Sequence, residues 1–136
     1  MSSRHAIVWI DSREAHVFRF TAEEVNMQRV KAHLPVRKIH HKAGVVGSGH
    51  VHLDHAYFHE IAQALDGAHE WLLTGPGVAK DEMLVYLHGS EHGLQKKFVG
   101  VETVDHPTDG QLVDHARRFF KAVDRMRPNS PSPIRG

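Results

Sequence analysis

The sequence predicts an α/β fold, a mixed five-stranded sheet with helices on its faces, in the order βββαβαβα. Three observations carry this. The first 34 residues hold three short apolar or alternating runs, separated by turn-forming residues and with no room for a helix between them. From residue 54 onward, stretches with helical spacing alternate with strand-like apolar runs. The length of 136 residues, with 40% hydrophobic and 24% charged side chains, suits one ordinary domain with its own core.

Each element follows from its local pattern. "HAIVWI" (5–10) is a continuous apolar run and reads as a strand buried on both faces. "DSRE" is a turn, and "AHVFRF" (15–20) returns from it with His16, Phe18 and Phe20 on one face. After the turn "TAEE", "VNMQRVKAHL" (25–34) reads as a third strand with Val25 and Met27 on one face, ended by Pro35. In "DHAYFHEIAQALD" (54–66), Tyr57, Ile61, Ala64 and Leu65 recur at helical spacing, extended by Leu53, and Gly67 follows as a C-cap. "EWLLTG" (70–75) is a buried strand. "VAKDEMLVYLH" (78–88) is a helix with Asp81 and Glu82 in its first turn, where the helix dipole favours acids. "KKFVGVETV" is the last strand. "DGQLVDHARRFFKAVDRM" (109–126) is the last helix, with Leu112, Ala116, Phe119, Phe120 and Val123 on one face. "RPNSPSPIRG" (127–136) is Pro/Ser-rich and reads as a disordered tail beyond a single domain spanning 1–126. Strands joined by tight turns are antiparallel, and strands reached through helices in right-handed crossovers are parallel. Three antiparallel strands followed by two parallel ones make a ribonuclease-H-like arrangement.

Composition excludes several classes of function. There is no cysteine, so disulfides and thiolate chemistry are absent. "MSSRHAIVWI" has no long apolar run of the kind a signal peptide needs, and no stretch reaches the roughly 18 apolar residues of a membrane span. A cytoplasmic location with no membrane partner is the expectation. The net charge is +1, so a nucleic-acid signal has to be local. Histidine stands out, with 14 residues.

The local signal lies between the third strand and the first helix, where roughly 20 residues carry no strong pattern, a length that in compact domains is functional or disordered. From Val25 to Leu53 there is no Asp or Glu, while the same span holds Arg29, Lys31, Arg37, Lys38 and Lys42, and His33, His40, His41, His50 and His52. Such a segregated basic stretch attracts phosphate backbones, and Gly44, Gly47 and Gly49 permit close approach. A solvated loop kept soluble by its charges is the other reading.

Weaker constellations surround it. His52, His55 and His59 are spaced to share a helical face, and two imidazoles four residues apart can reach one divalent metal; a polar helix face in a His-rich protein is the simpler reading. Gly75-Pro76-Gly77 precedes a helix N-terminus with Lys80 close by, so Gly75, Gly77 and Lys80 form either an anion-binding turn or a plain tight turn. Asp11 ends the first strand, but a two-metal nuclease needs several converging carboxylates, and Glu24, Glu60 and Asp105 are not placed together by sequence. "TDGQ" reads as a helix cap at Thr108 or Asp109, and Ser48 has no base-and-acid partners that single it out as a nucleophile.

The order of elements, "WLLTGPGVAKDEMLVYL" (71–87) and the Gly-containing basic segment together resemble the central domain of the archaeal and eukaryotic class-I release factor and Pelota family. "HHKAGVVGSGH", "YFHEIAQAL" and "VETVDHPTDGQL" are similar as a set to small bacterial release-factor-like proteins of the translational machinery. The resemblance covers roughly residues 5 to 125. It implies a ribosome or tRNA partner. Release factors carry a GGQ loop at this place, which helps position water on the peptidyl-tRNA ester; here Gly47 and Gly49 correspond to the glycines and His50 to the glutamine, and the stretch reads GSGH. Two functional readings follow. In one, the domain binds without stop-codon decoding, with Arg37, Lys38, His40, His41, Lys42, Gly44, Gly47, Gly49 and His50 making the contact. In the other, it is a peptidyl-tRNA ester hydrolase that uses the 44–50 loop, with His50 as the catalytic group. Neither requires a cofactor, and a divalent metal at His52, His55 and His59 is a third alternative.

Overall fold

The computed structural model describes residues 5–33 and 54–126. Three strands come first: β1 (His5–Ile10), β2 (Glu14–Phe20) and β3 (Val25–Lys31). After residue 54 follow α1 (His55–Ala64), β4 (Glu70–Gly75), α2 (Ala79–Ser90), α3 (His92–Lys97), β5 (Phe98–Thr103) and α4 (Asp109–Met126). The sheet order is β3-β2-β1-β4-β5. β1 pairs antiparallel with β2, and β2 with β3, while β1–β4 and β4–β5 are parallel. This is the mixed five-stranded sheet the sequence predicts, with the same division into antiparallel and parallel strands.

β1 is apolar from Ala6 to Ile10 because it is central and both its faces are covered. Ala6, Val8 and Ile10 point to one side, where they pack with Tyr57, Phe58 and Ile61 of α1 and Met83 and Leu87 of α2. Ile7 and Trp9 point to the other, against Leu112, Ala116 and Phe120 of α4. β4 divides the same way, with Trp71 and Leu73 toward the first cluster and Leu72 toward the second. The alternation follows from the two-residue period of a strand, and the stripes on α1 and α4 from helical spacing. One polar side chain inside this core, Thr74, donates its hydroxyl to the Val8 carbonyl at 2.9 Å and so carries no unpaired group.

Among the described residues there is one helix more than the sequence pattern predicts. α3 occupies "HGLQKK", whose two lysines the pattern assigns to the last strand. Its packing explains it: the Leu94 carbonyl accepts from the buried Trp71 indole N–H at 2.9 Å, and Leu94 rests on the first core cluster. A six-residue helix with one apolar contact leaves no periodicity to read.

The cap at α4 is as predicted. Thr108 Oγ1 accepts from the Gln111 N–H at 3.1 Å, and Gln111 Oε1 accepts from the Thr108 N–H at 2.9 Å, a reciprocal capping box. Gly67, after α1, has φ 88°, the left-handed backbone that glycine adopts at least cost. No helix among the described residues is long and apolar enough to cross a membrane.

Candidate functional site

The strand directions bring seven ends of strands and helices to one edge of the sheet. β1, β4 and β5 run parallel and finish there at Ile10, Gly75 and Thr103. β2 starts there at Glu14, opposite Lys31 at the end of β3. α1 begins there at Asp54, and α4 at Asp109, whose Oδ1 lies 3.2 Å from His16 Nδ1. Open α/β sheets place their ligand sites at the carboxyl edge of the parallel strands, because the strand-to-helix connections gather there. The basic segment leaves and re-enters the fold at this edge, between His33 and Asp54.

The two ends of that segment are held together by specific contacts. Asp54 caps α1 by accepting from the Tyr57 N–H with Oδ1 at 3.1 Å, and its Oδ2 accepts from the His33 N–H at 2.7 Å. One carboxylate thus serves both the helix start and the strand end. His33 Nε2 lies 2.9 Å from Glu60 Oε1, one turn into α1. The buried Tyr57 hydroxyl donates to the Asp11 carbonyl at 2.8 Å, and Ala32 N–H donates to the Arg13 carbonyl at 2.9 Å, tying the same stem to the β1–β2 turn. Asp11 shapes that turn, its Oδ1 accepting from the N–H groups of Arg13 and Glu14. Among the described residues Asp11 belongs to no set of three imidazole or carboxylate donors close enough to share an ion, as two-metal nuclease chemistry would ask.

Electrostatics at the edge are mixed. Glu14 stands between His16 (3.2 Å) and Arg29 (3.9 Å), and Asp105 pairs with His106 at 2.9 Å. The positive excess read from the sequence therefore belongs to the segment between the stem residues. The hydrogen bond to Glu60 holds His33 above the ordinary imidazole value; partial desolvation opposes this, and the negative charges of Glu60 and Asp54 add to it. Burial pushes the Tyr57 hydroxyl far above the ordinary phenol value, so it remains a donor. A raised pKa means that pairing favours protonated His33. Its contribution to closing the stem is full below the unfolded value near 6.5 and is lost as pH rises through the folded value. In an NMR titration the His33 imidazole is expected to titrate above 6.5, and Glu60→Gln to bring it back down. An unchanged His33 midpoint in that variant would show that the pair does not form.

Of the residues singled out by sequence, Arg37, Lys38, His40, His41, Lys42, Gly44, Gly47, Gly49, His50 and His52 lie outside the described residues, as does the 127–136 tail. His55 and His59 do share one face of α1. The His55 ring stands edge-on to Tyr86 at 5.7 Å, and His59 Nδ1 is 3.4 Å from Glu91 Oε2 and 3.5 Å from the Tyr86 hydroxyl. Tyr86 donates to Glu91 at 3.0 Å, and burial together with that bond pushes its hydroxyl up to about 12. The GPG turn is close-packed on one side and open on the other. A Cβ on Gly75 would lie 2.2 Å from the Ile10 carbonyl oxygen, whereas one on Gly77 would meet nothing within 4 Å. Lys80 is 7% exposed, and its ammonium donates to the Gly77 carbonyl at 2.6 Å, closing the turn from within. The N-terminus of α2 carries no side-chain cap. Sequence reasoning missed the stem, because nothing local signals that Asp54 caps α1 and holds His33 across the basic segment.

No family profile and no curated protein matches the sequence. Solved structures do match. The Thermoplasma acidophilum Pelota protein aligns with a TM-score of 0.56 at 19% identity over 83% of this chain and 31% of its own. An archaeal translation termination factor, aRF1, aligns at 0.53 and 14% identity over 90% of this chain and 39% of its own. S. cerevisiae Dom34, described as a translation termination-like factor involved in RNA quality control pathways and interacting with Hbs1, aligns at 0.52 and 15% identity over 88% and 33%. The chain spans about a third of the length of these proteins. At such identities the likeness is one of fold, and the fold is the one found within release factors and Pelota proteins, as the sequence resemblance implies.

Proposed function

We propose that this domain is a release-factor-like binding module that docks on ribosomal RNA or tRNA through the basic segment between His33 and Asp54, without decoding a stop codon. The observation that carries the reading is positional. The acid-free run, with Arg37, Lys38 and Lys42 and three glycines, is inserted at the carboxyl edge of the parallel strands in a fold shared with translation factors. The stem made by Asp54, His33 and Glu60 supports it, because a binding element needs its two ends fixed to a rigid scaffold. Asp54 and Glu60 sit at the base, where they bind His33, and leave the segment itself free of acids. Fold alone does not carry catalysis, and the hydrolase reading would rest on the 44–50 stretch and its His50.

The test is sedimentation of the full chain with purified ribosomal particles. Binding to phosphates releases counterions, so the protein is expected in the pellet at low salt and in the supernatant at high salt. Recovery in the pellet that is independent of salt, or no recovery at any salt, would contradict the reading.

A further inference from the structure

At the edge of the sheet opposite His33 and Asp54, three side chains from distant parts of the chain converge. His5 opens β1, Glu70 opens β4, and Asp124 lies in the last turns of α4. Each offers one donor atom, and the three donors lie within 4.8 Å of one another. We propose that His5, Glu70 and Asp124 form a binding site for one divalent first-row transition ion, Zn²⁺ being the best fit, which ties the end of α4 to the sheet.

Three features support this beyond simple proximity. The first is spacing. Zn²⁺ takes nitrogen and oxygen ligands at about 2.0–2.2 Å, so neighbouring ligands of a tetrahedral ion stand roughly 3.4 Å apart. His5 Nε2 is already 3.5 Å from Glu70 Oε1. The second is preorganisation. His5 and Glu70 are directly opposite on adjacent parallel strands, and the His5 ring is stacked on Phe120 at 4.2 Å and tilted against Phe20 at 6.1 Å. The imidazole is thus held by the core with its Nε2 turned to the carboxylate. The third is donor chemistry. One imidazole with two carboxylates suits Zn²⁺, Mn²⁺ or Co²⁺ better than the all-oxygen preference of Ca²⁺ or Mg²⁺, and two carboxylates balance a charge of +2. His5 and Glu70 are mostly covered, while Asp124 is exposed and can adjust. A fourth position remains for water. The site lies at the opposite edge of the sheet from His33 and Asp54, so its role is structural and independent of RNA binding.

Titration of the untagged full chain with ZnCl₂ by calorimetry tests the proposal, with circular dichroism confirming that each variant is folded. Wild type is expected to bind one equivalent at this site. Glu70→Gln and Asp124→Asn should each weaken that binding at least tenfold, and a His55→Ala, His59→Ala double variant should leave it unchanged. Zn²⁺ should also move the NMR signals of the His5 imidazole and raise the unfolding temperature of wild type and of the double His variant more than that of Glu70→Gln or Asp124→Asn, because a ligand that binds the native state stabilises it. Failure of wild type to bind at micromolar Zn²⁺, equal affinity in the Glu70→Gln and Asp124→Asn variants, or loss of binding in the double His variant would each overturn it.

Discussion

Replacing Arg37, Lys38 and Lys42 together with Ala is expected to reduce affinity for ribosomal particles by on the order of ten- to a hundredfold at low salt. Each cation that neutralises a phosphate releases about 0.7–0.9 of a counterion, so the slope of log affinity against log salt should fall by roughly two to three in the triple variant. These three residues account for the side-chain charge of the segment outside its histidines, and the acids nearest its ends, Asp54 and Glu60, are bound to His33. Folding should be untouched, because none of the three lies in a described strand or helix. Loss of affinity with an unchanged slope would point to a contact other than phosphate. A control variant, Lys121→Ala on the exposed side of α4, should bind like wild type.

The largest effect on stability is expected at the GPG turn. Gly75→Ala would place a methyl group 2.2 Å from the Ile10 carbonyl oxygen, a backbone atom in the central strand that cannot swing aside. Relieving that overlap means separating the ends of β1 and β4, and overpacking of this kind costs about 3 kcal/mol. It would also strain the bond from the Val104 N–H to the Gly75 carbonyl, 3.1 Å, which carries the end of β5 into the same edge. Gly77→Ala, two residues on, meets open space and should change stability by less than about 0.5 kcal/mol. Denaturant midpoints of the two variants check this. Equal midpoints would mean that the close approach of Gly75 to β1 is not part of the native packing. The contrast also separates two roles that the motif GPG runs together: its first glycine serves the sheet, and its second is available at the surface.

Much of the fold is legible because it depends on periodicity. The continuous run Ala6–Ile10 announces a strand covered on both faces, and both helix clusters found against it use residues whose spacing marks them in advance, Tyr57 and Ile61 on one side, Leu112, Ala116 and Phe120 on the other. Thr108 and Gln111 announce a cap because the capping box is local. What escapes the sequence is pairing between elements. His33 with Asp54 and Glu60, Lys80 with the Gly77 carbonyl, Trp71 with the Leu94 carbonyl and the His5–Glu70–Asp124 group are set by how elements meet, and no pattern along the chain records that. α3 escaped for a related reason, since its one apolar contact makes sense only beside Trp71. The basic segment is the opposite case. Its composition is plain in the sequence, and its place at the carboxyl edge of the parallel strands comes from the strand directions.

The central claim is that RNA meets this protein at the segment between His33 and Asp54. Site-specific photo-crosslinking tests it most directly. A photoreactive side chain in place of Val45, within the segment, and another in place of Arg118, exposed on α4, would each be irradiated in the presence of ribosomal particles and of tRNA. Abundant RNA adducts from position 45 and few from position 118 are predicted. Adducts from position 118 that equal or exceed those from position 45 would contradict the account.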